Sequence, residues 1–165
     1  MNSPHAPSYK GAGFTLIETI IYIALLSFIM TGSLLAAHNI IESSRKLEAK
    51  VVANTEGEFI LKKIDWALNG AQTIYAPASG ATGTLLSVDK PSLSASENPL
   101  VFYASSSAVE MTRGSNPANL LSTENAKIGD LIFEHIPPDA EKPRAIKVTF
   151  TLSDLAFEMT RYVRK

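Results

Sequence analysis

Residues 14–41 read FTLIETIIYIALLSFIMTGSLLAAHNII, and Glu18 is the one formal charge among them. The uncharged stretch from Thr19 to Ile41, at about 1.5 Å of rise per residue, makes a helix of roughly 35 Å, enough to cross a hydrocarbon layer of about 30 Å. By length this is a membrane segment. It also accounts for a composition that is 45% hydrophobic and only 19% charged, an unusual balance for a chain of 165 residues with room for about one domain. Three readings compete for the segment. A cleaved secretory signal has an apolar stretch of about 7 to 15 residues and small residues at its cleavage site. Here the run is too long, and Leu34 and Leu35 interrupt the small residues of 33–37. An ordinary signal anchor explains the length but not the carboxylate, since an acidic side chain near the bilayer centre costs about 2.5 to 3.5 kcal/mol on insertion scales.

The third reading starts from the segment in front, MNSPHAPSYKGAG, which is polar, contains proline and ends in Gly13. It reads as a leader. The junction Gly13-Phe14-Thr15-Leu16-Ile17-Glu18, running straight into the apolar stretch, resembles the class III signal of type IV pilins and of type II secretion pseudopilins. The resemblance is close from Gly13 into the spanning helix and holds only in outline beyond it. It implies that a prepilin peptidase cuts between Gly13 and Phe14 on the cytoplasmic side and methylates the new N-terminus at Phe14. It further implies that Glu18, at the fifth mature position, is the assembly residue.

The spacing has a chemistry of its own. Cleavage after Gly13 would create an ammonium at Phe14, one helical turn from Glu18 and on the same face. Each charge is costly alone in lipid. A neighbouring subunit displaced along the bundle can match its own Glu18 to that ammonium, neutralising both and setting an axial register. The plainer alternative is a Glu18 that lies at the interface and reaches to water. Charge counting opposes the resemblance on one point: Lys10 precedes the span while Arg45, Lys46 and Lys50 follow it, which puts the N-terminus outside. The resemblance places the N-terminus in the cytoplasm, and the rest of the chain beyond the inner membrane.

No proline occurs in residues 40–69, and Leu47, Val51, Phe59, Leu61, Ile64 and Leu68 return at helical spacings, so one helix is expected from Phe14 to about Asn69, ended by Gly70. Gly57 and Gly32 are its weak points. Many pilins carry a proline at mature position 22; here that position is Leu35. Residues 76–99 are rich in Ala, Ser, Thr, Gly and Pro and read as loop around a short strand at 85–88. Period-two patterns follow at 100–103, 108–112, 131–136 and 145–152, with Ile146, Val148, Phe150 and Leu152 on one face. Ser153-Asp154 turns the chain into a last strand at 156–163. The expected fold class is therefore α+β: a long N-terminal helix packed on a small antiparallel β-sheet head, pilin-like in outline. The parts are a leader (1–13), a transmembrane and assembly half of the helix (14–41), an amphipathic stalk half (42–70) and a β-sheet head (71–165).

Other chemistry is poorly supported. With 15 Lys and Arg against 16 Asp and Glu, a net charge of -1 provides no basic field for a phosphate backbone, so no nucleic-acid partner is expected. The absence of cysteine excludes disulfides, thiolate metal sites and a Cys nucleophile. Ser43-Ser44-Arg45-Lys46 contains an S-x-x-K on the expected helix without any companion motif, and reads as a solvated face. His5, His38 and His135 lack ligand spacing, and the acidic residues around Pro137-Pro138 read as a solvated strand edge. Trp66 reads as a core anchor. No catalytic, metal or cofactor site is assigned, and an anchored enzyme is the least supported class.

What remains is a filament subunit or an uncleaved, single-pass membrane-anchored binding module. For the first, the resemblance implies as partners other pilins or pseudopilins, a prepilin peptidase, a membrane assembly platform with its cytoplasmic ATPase, and the bilayer. Without a disulfide-bounded loop or an acidic calcium loop, a minor pilin or minor pseudopilin fits better than a major one. Residues 60–67 and 157–164 resemble the corresponding parts of J-type minor pseudopilins, and Glu18 argues against a K-type tip subunit.

Overall fold

The computed structural model describes residues 13, 15–105, 108–123 and 127–163. Among the described residues one α-helix, α1 (Leu16–Leu68), is followed by nine strands, with a one-turn 3-10 helix (Ala95–Glu97) before the fourth: β1 (Thr73–Ala76), β2 (Thr82–Gly83), β3 (Leu85–Asp89), β4 (Leu100–Ser105), β5 (Ala108–Arg113), β6 (Asn119–Leu120), β7 (Ile132–Ile136), β8 (Ala145–Leu152) and β9 (Leu155–Tyr162). The chain divides into two compact units, Met1–Lys46 and Leu47–Lys165, with the boundary inside α1. Expected and observed helix ends agree within two residues where residues are described. Gly70, at φ 80°, occupies the left-handed position that stops the helix.

In the first unit the helix is apolar and exposed nearly all round, with Glu18 half-buried. It is long and apolar enough to cross a membrane. Ser27 and Thr31 donate their hydroxyls to the carbonyls of Ile23 and Ser27, each at 2.8 Å. Both hydroxyl groups are thereby satisfied within the helix, as a lipid environment requires.

The second unit is α+β, and its strands form two antiparallel sheets where one was expected. One has the order β1-β3-β4-β5-β6 and the other β2-β7-β8-β9. All five expected strands after residue 99 are present, with β8 at its expected bounds. The expected loop at 76–99 holds β2, and neither β2 nor β1, which precedes it, nor β6 is among the expected strands. These elements have only two to four residues, too short for a period-two pattern to stand out, so their partners define them. β8 joins β9 through Ser153 and Asp154, both at positive φ, the geometry that two-residue hairpins favour.

The core gathers α1 and one face of each sheet. Ile60 and Ile64 meet Leu86, Val88, Leu100 and Phe102 from one sheet and Phe133, Ile146, Val148 and Phe150 from the other. The helical stripe inside differs from the one the spacing suggested. Ala53, Gly57, Ile60, Ile64, Ala67 and Leu68 are buried, while Leu47, Val51 and Phe59 face outward. Small residues explain the shift: a Cβ on Gly57 would collide with three ring atoms of Phe157, so the missing side chain is what lets β9 lie close to the helix. Gly57 is a packing position rather than a weak point. Phe157 in turn stacks on Phe150, with ring centroids 5.1 Å apart.

Two polar residues are placed otherwise than expected. His135 is buried, with Nδ1 2.9 Å from the Pro77 carbonyl, so it braces a loop instead of lining a solvated edge. Trp66 is 37% exposed instead of anchoring the core, and Lys90 Nζ lies over its indole ring at 4.2 Å. Lys90 itself is buried and donates to the carbonyls of Trp66 and Asn69, the latter at 2.9 Å, closing the C-terminal end of α1. Burial pushes its ammonium below the ordinary lysine range, and the Asp65 carboxylate opposes that shift.

Candidate processing and assembly site

The N-terminal edge of α1 follows from its first residues. Thr15 precedes the first helical residue, and its Oγ1 accepts the Glu18 backbone N–H at 3.3 Å, which makes it the N-cap. Thr15-Leu16-Ile17-Glu18 has the spacing of a capping box, a threonine followed three residues later by glutamate. Thr15 and Glu18 thus start the helix where the apolar run begins. Thr19 donates its hydroxyl to the Thr15 carbonyl at 3.3 Å.

Glu18 lies in the first turn, where the unpaired N–H groups of a helix favour negative charge. Its Oε1 accepts a hydrogen bond from the Tyr22 hydroxyl at 3.1 Å, one turn further along. Among the residues expected to form the site, Glu18 and Gly13 are described and Phe14 lies outside the described residues. Gly13 is exposed, with nothing within 4 Å of the place a Cβ would occupy. What the structure brings together is Thr15, Glu18 and Tyr22. The sequence reading overlooked both neighbours of Glu18. Their signals were the capping-box spacing and the i, i+4 relation between positions 18 and 22.

Elsewhere, Lys46 of the S-x-x-K pairs with Glu42 at 2.7 Å, an exposed i, i+4 ion pair. No group of three or more His, Asp or Glu side chains is placed to hold a metal ion among the described residues.

Residues 9–34 match the prokaryotic N-terminal methylation motif. The chain carries a prepilin-type signal. This signal, shared by type IV pilins and pseudopilins, spans the end of the expected leader, the Gly13-Phe14 junction, the capped start of α1 and most of its apolar run. Residues 35–165 lie beyond the match. No curated protein and no solved structure matches the chain. A prepilin-type signal together with an exposed apolar N-terminal helix marks a membrane-anchored chain of the kind that assembles into filaments.

Proposed function

We propose that the chain is a prepilin-like filament subunit, a minor pilin or minor pseudopilin, with residues 60–67 and 157–164 resembling the corresponding parts of J-type minor pseudopilins. In this reading residues 1–13 are a leader, 14–41 the transmembrane and assembly half of the helix, 42–70 its amphipathic half and 71–165 the head. The chain is held in the cytoplasmic membrane with its N-terminus inside and its head outside. Prepilin peptidase cuts between Gly13 and Phe14 and methylates Phe14, and a membrane platform driven by a cytoplasmic ATPase passes the mature chain into a filament with other pilins or pseudopilins. It acts as a structural subunit, not as an enzyme.

One observation carries this reading: a lone carboxylate, Glu18, stands in the first turn of an apolar, lipid-length helix whose start falls inside the methylation motif. A carboxylate in that setting requires a cation, and cleavage after Gly13 creates one at Phe14. Glu18→Ala tests the pairing. It removes a charge that opposes insertion and lies beyond the scissile bond, so membrane insertion and leader removal are expected to persist. Assembly is expected to fail, since losing one member of a buried ion pair costs about 3 to 5 kcal/mol. Unchanged cross-linking to other pilins and unchanged recovery in sheared filaments, with Phe14 still processed, would refute the register mechanism.

A further inference from the structure

We propose that Tyr22 is a positioning residue for Glu18, holding the carboxylate ready for the ammonium of a neighbouring chain in place of its own. The proposal rests on the reading of Glu18 as the assembly residue. Position 22 stands one turn beyond Glu18 in α1, an i, i+4 neighbour on its face. Side chains on a helix lean toward its N-terminus, which brings the Tyr22 phenol back over the turn that holds Glu18. The 3.1 Å hydrogen bond from its hydroxyl to Oε1 is that contact. The same lean directs an untethered Glu18 toward the N-terminal end of its own helix, the end at which cleavage after Gly13 would leave the new ammonium. There it would meet the new ammonium within one molecule, and the drive to pair between molecules would be spent.

Two features of the tether suit it to this task. A phenol is neutral, so it orients the carboxylate without cancelling its charge, which still demands a cation. A carboxylate also has about four acceptor positions across its two oxygens. Engagement of Oε1 by one hydroxyl therefore leaves acceptor capacity for an incoming ammonium. Thr15 completes the arrangement by fixing the Glu18 backbone N–H at the helix start.

Tyr22→Phe keeps the ring and deletes the donor. In the full-length chain, co-expressed with prepilin peptidase and its assembly system, the variant should insert, lose residues 1–13 and gain N-methyl-Phe14 as the unaltered chain does. Filament recovery should fall about three- to tenfold, in line with one hydrogen bond to a charged group in a membrane. A lipid-soluble carbodiimide, which couples carboxylate to amine, followed by peptide mass spectrometry, reads the partner of Glu18 directly. The ratio of intermolecular to intramolecular Phe14–Glu18 products should drop in Tyr22→Phe and recover in Tyr22→Gln, which restores a neutral donor. The inference is overturned if Tyr22→Phe leaves both recovery and product ratio unchanged while Glu18→Ala abolishes assembly. It is also overturned if Phe and Gln variants lose assembly equally with an unchanged ratio, which would make Tyr22 a lipid-face packing residue. Normal assembly of Glu18→Ala would instead remove the assembly reading itself.

Discussion

Replacing Gly57 by alanine should destabilise the second unit, although alanine is the better helix former. In isolation the exchange favours the helix by about 1 kcal/mol. Here the added methyl would meet the Phe157 ring from Cζ to Cε2, the last of these at 2.6 Å, far inside van der Waals contact. The ring is not free to move, because one of its faces is stacked on Phe150, which is 2% exposed. Phe157 must either push the core or swing outward and give up its burial. Overpacking of this kind costs about 1 to 3 kcal/mol, and contact with three ring atoms places it at the upper end, so a net loss of about 2 kcal/mol is expected. Urea denaturation of a fragment covering residues 41–165, followed by far-ultraviolet circular dichroism, measures it. The midpoint should fall with an unchanged slope. Phe157→Leu in the same chain should recover at least 1 kcal/mol of that loss, a coupling that independent sites do not show. A Gly57→Ala fragment as stable as its parent, or more stable, would refute the account of how β9 meets the helix.

The fragment 41–165 should itself be soluble and give a mixed helix and sheet spectrum, because its core of α1 and two sheets needs no lipid; a disordered spectrum would contradict this. Lys90→Met should lower the stability of that fragment by about 1 to 2 kcal/mol at neutral pH, since the carbonyls of Trp66 and Asn69 lose their buried donor. The same variant tests the lowered Lys90 ammonium. Between its folded value and the unfolded value of about 10.4, the unfolded chain binds more protons, so stability should rise with pH across that window in the parent and rise less in Lys90→Met. Parallel pH profiles would show that burial does not act on this group.

The features most legible in the sequence were those set by local rules. A proline-free run closed by Gly70 gave the ends of α1, and strict alternation gave β8, whose Ile146, Val148, Phe150 and Leu152 are all buried. The turn at Ser153-Asp154 was legible for the same reason. Features set by packing were not. Counting large apolar residues pointed to Leu47, Val51 and Phe59, whereas the buried stripe runs through Ala53 and Gly57, where smallness is the property selected. Trp66 looked like a core residue by size, yet Lys90, 24 positions away and just beyond β3, reaches over its indole ring. His135 looked solvated because its neighbours in sequence are acidic and proline-rich, while its actual partner is Pro77. At the candidate site, Glu18 stood out as a lone charge. Thr15 and Tyr22 did not, because their signals are spacings relative to Glu18, a capping box and an i, i+4 relation, and not properties of either residue alone.

Intact-mass analysis of the full-length chain, produced with and without a prepilin peptidase, decides whether Gly13-Phe14 is a processing junction. With the peptidase, the chain should lose residues 1–13 and begin at N-methyl-Phe14, and without it Met1 and the whole leader should remain. A chain that keeps its leader in the presence of an active peptidase, or one cut near Ala37 as a secretory signal would be, would contradict the assignment as a prepilin-like subunit.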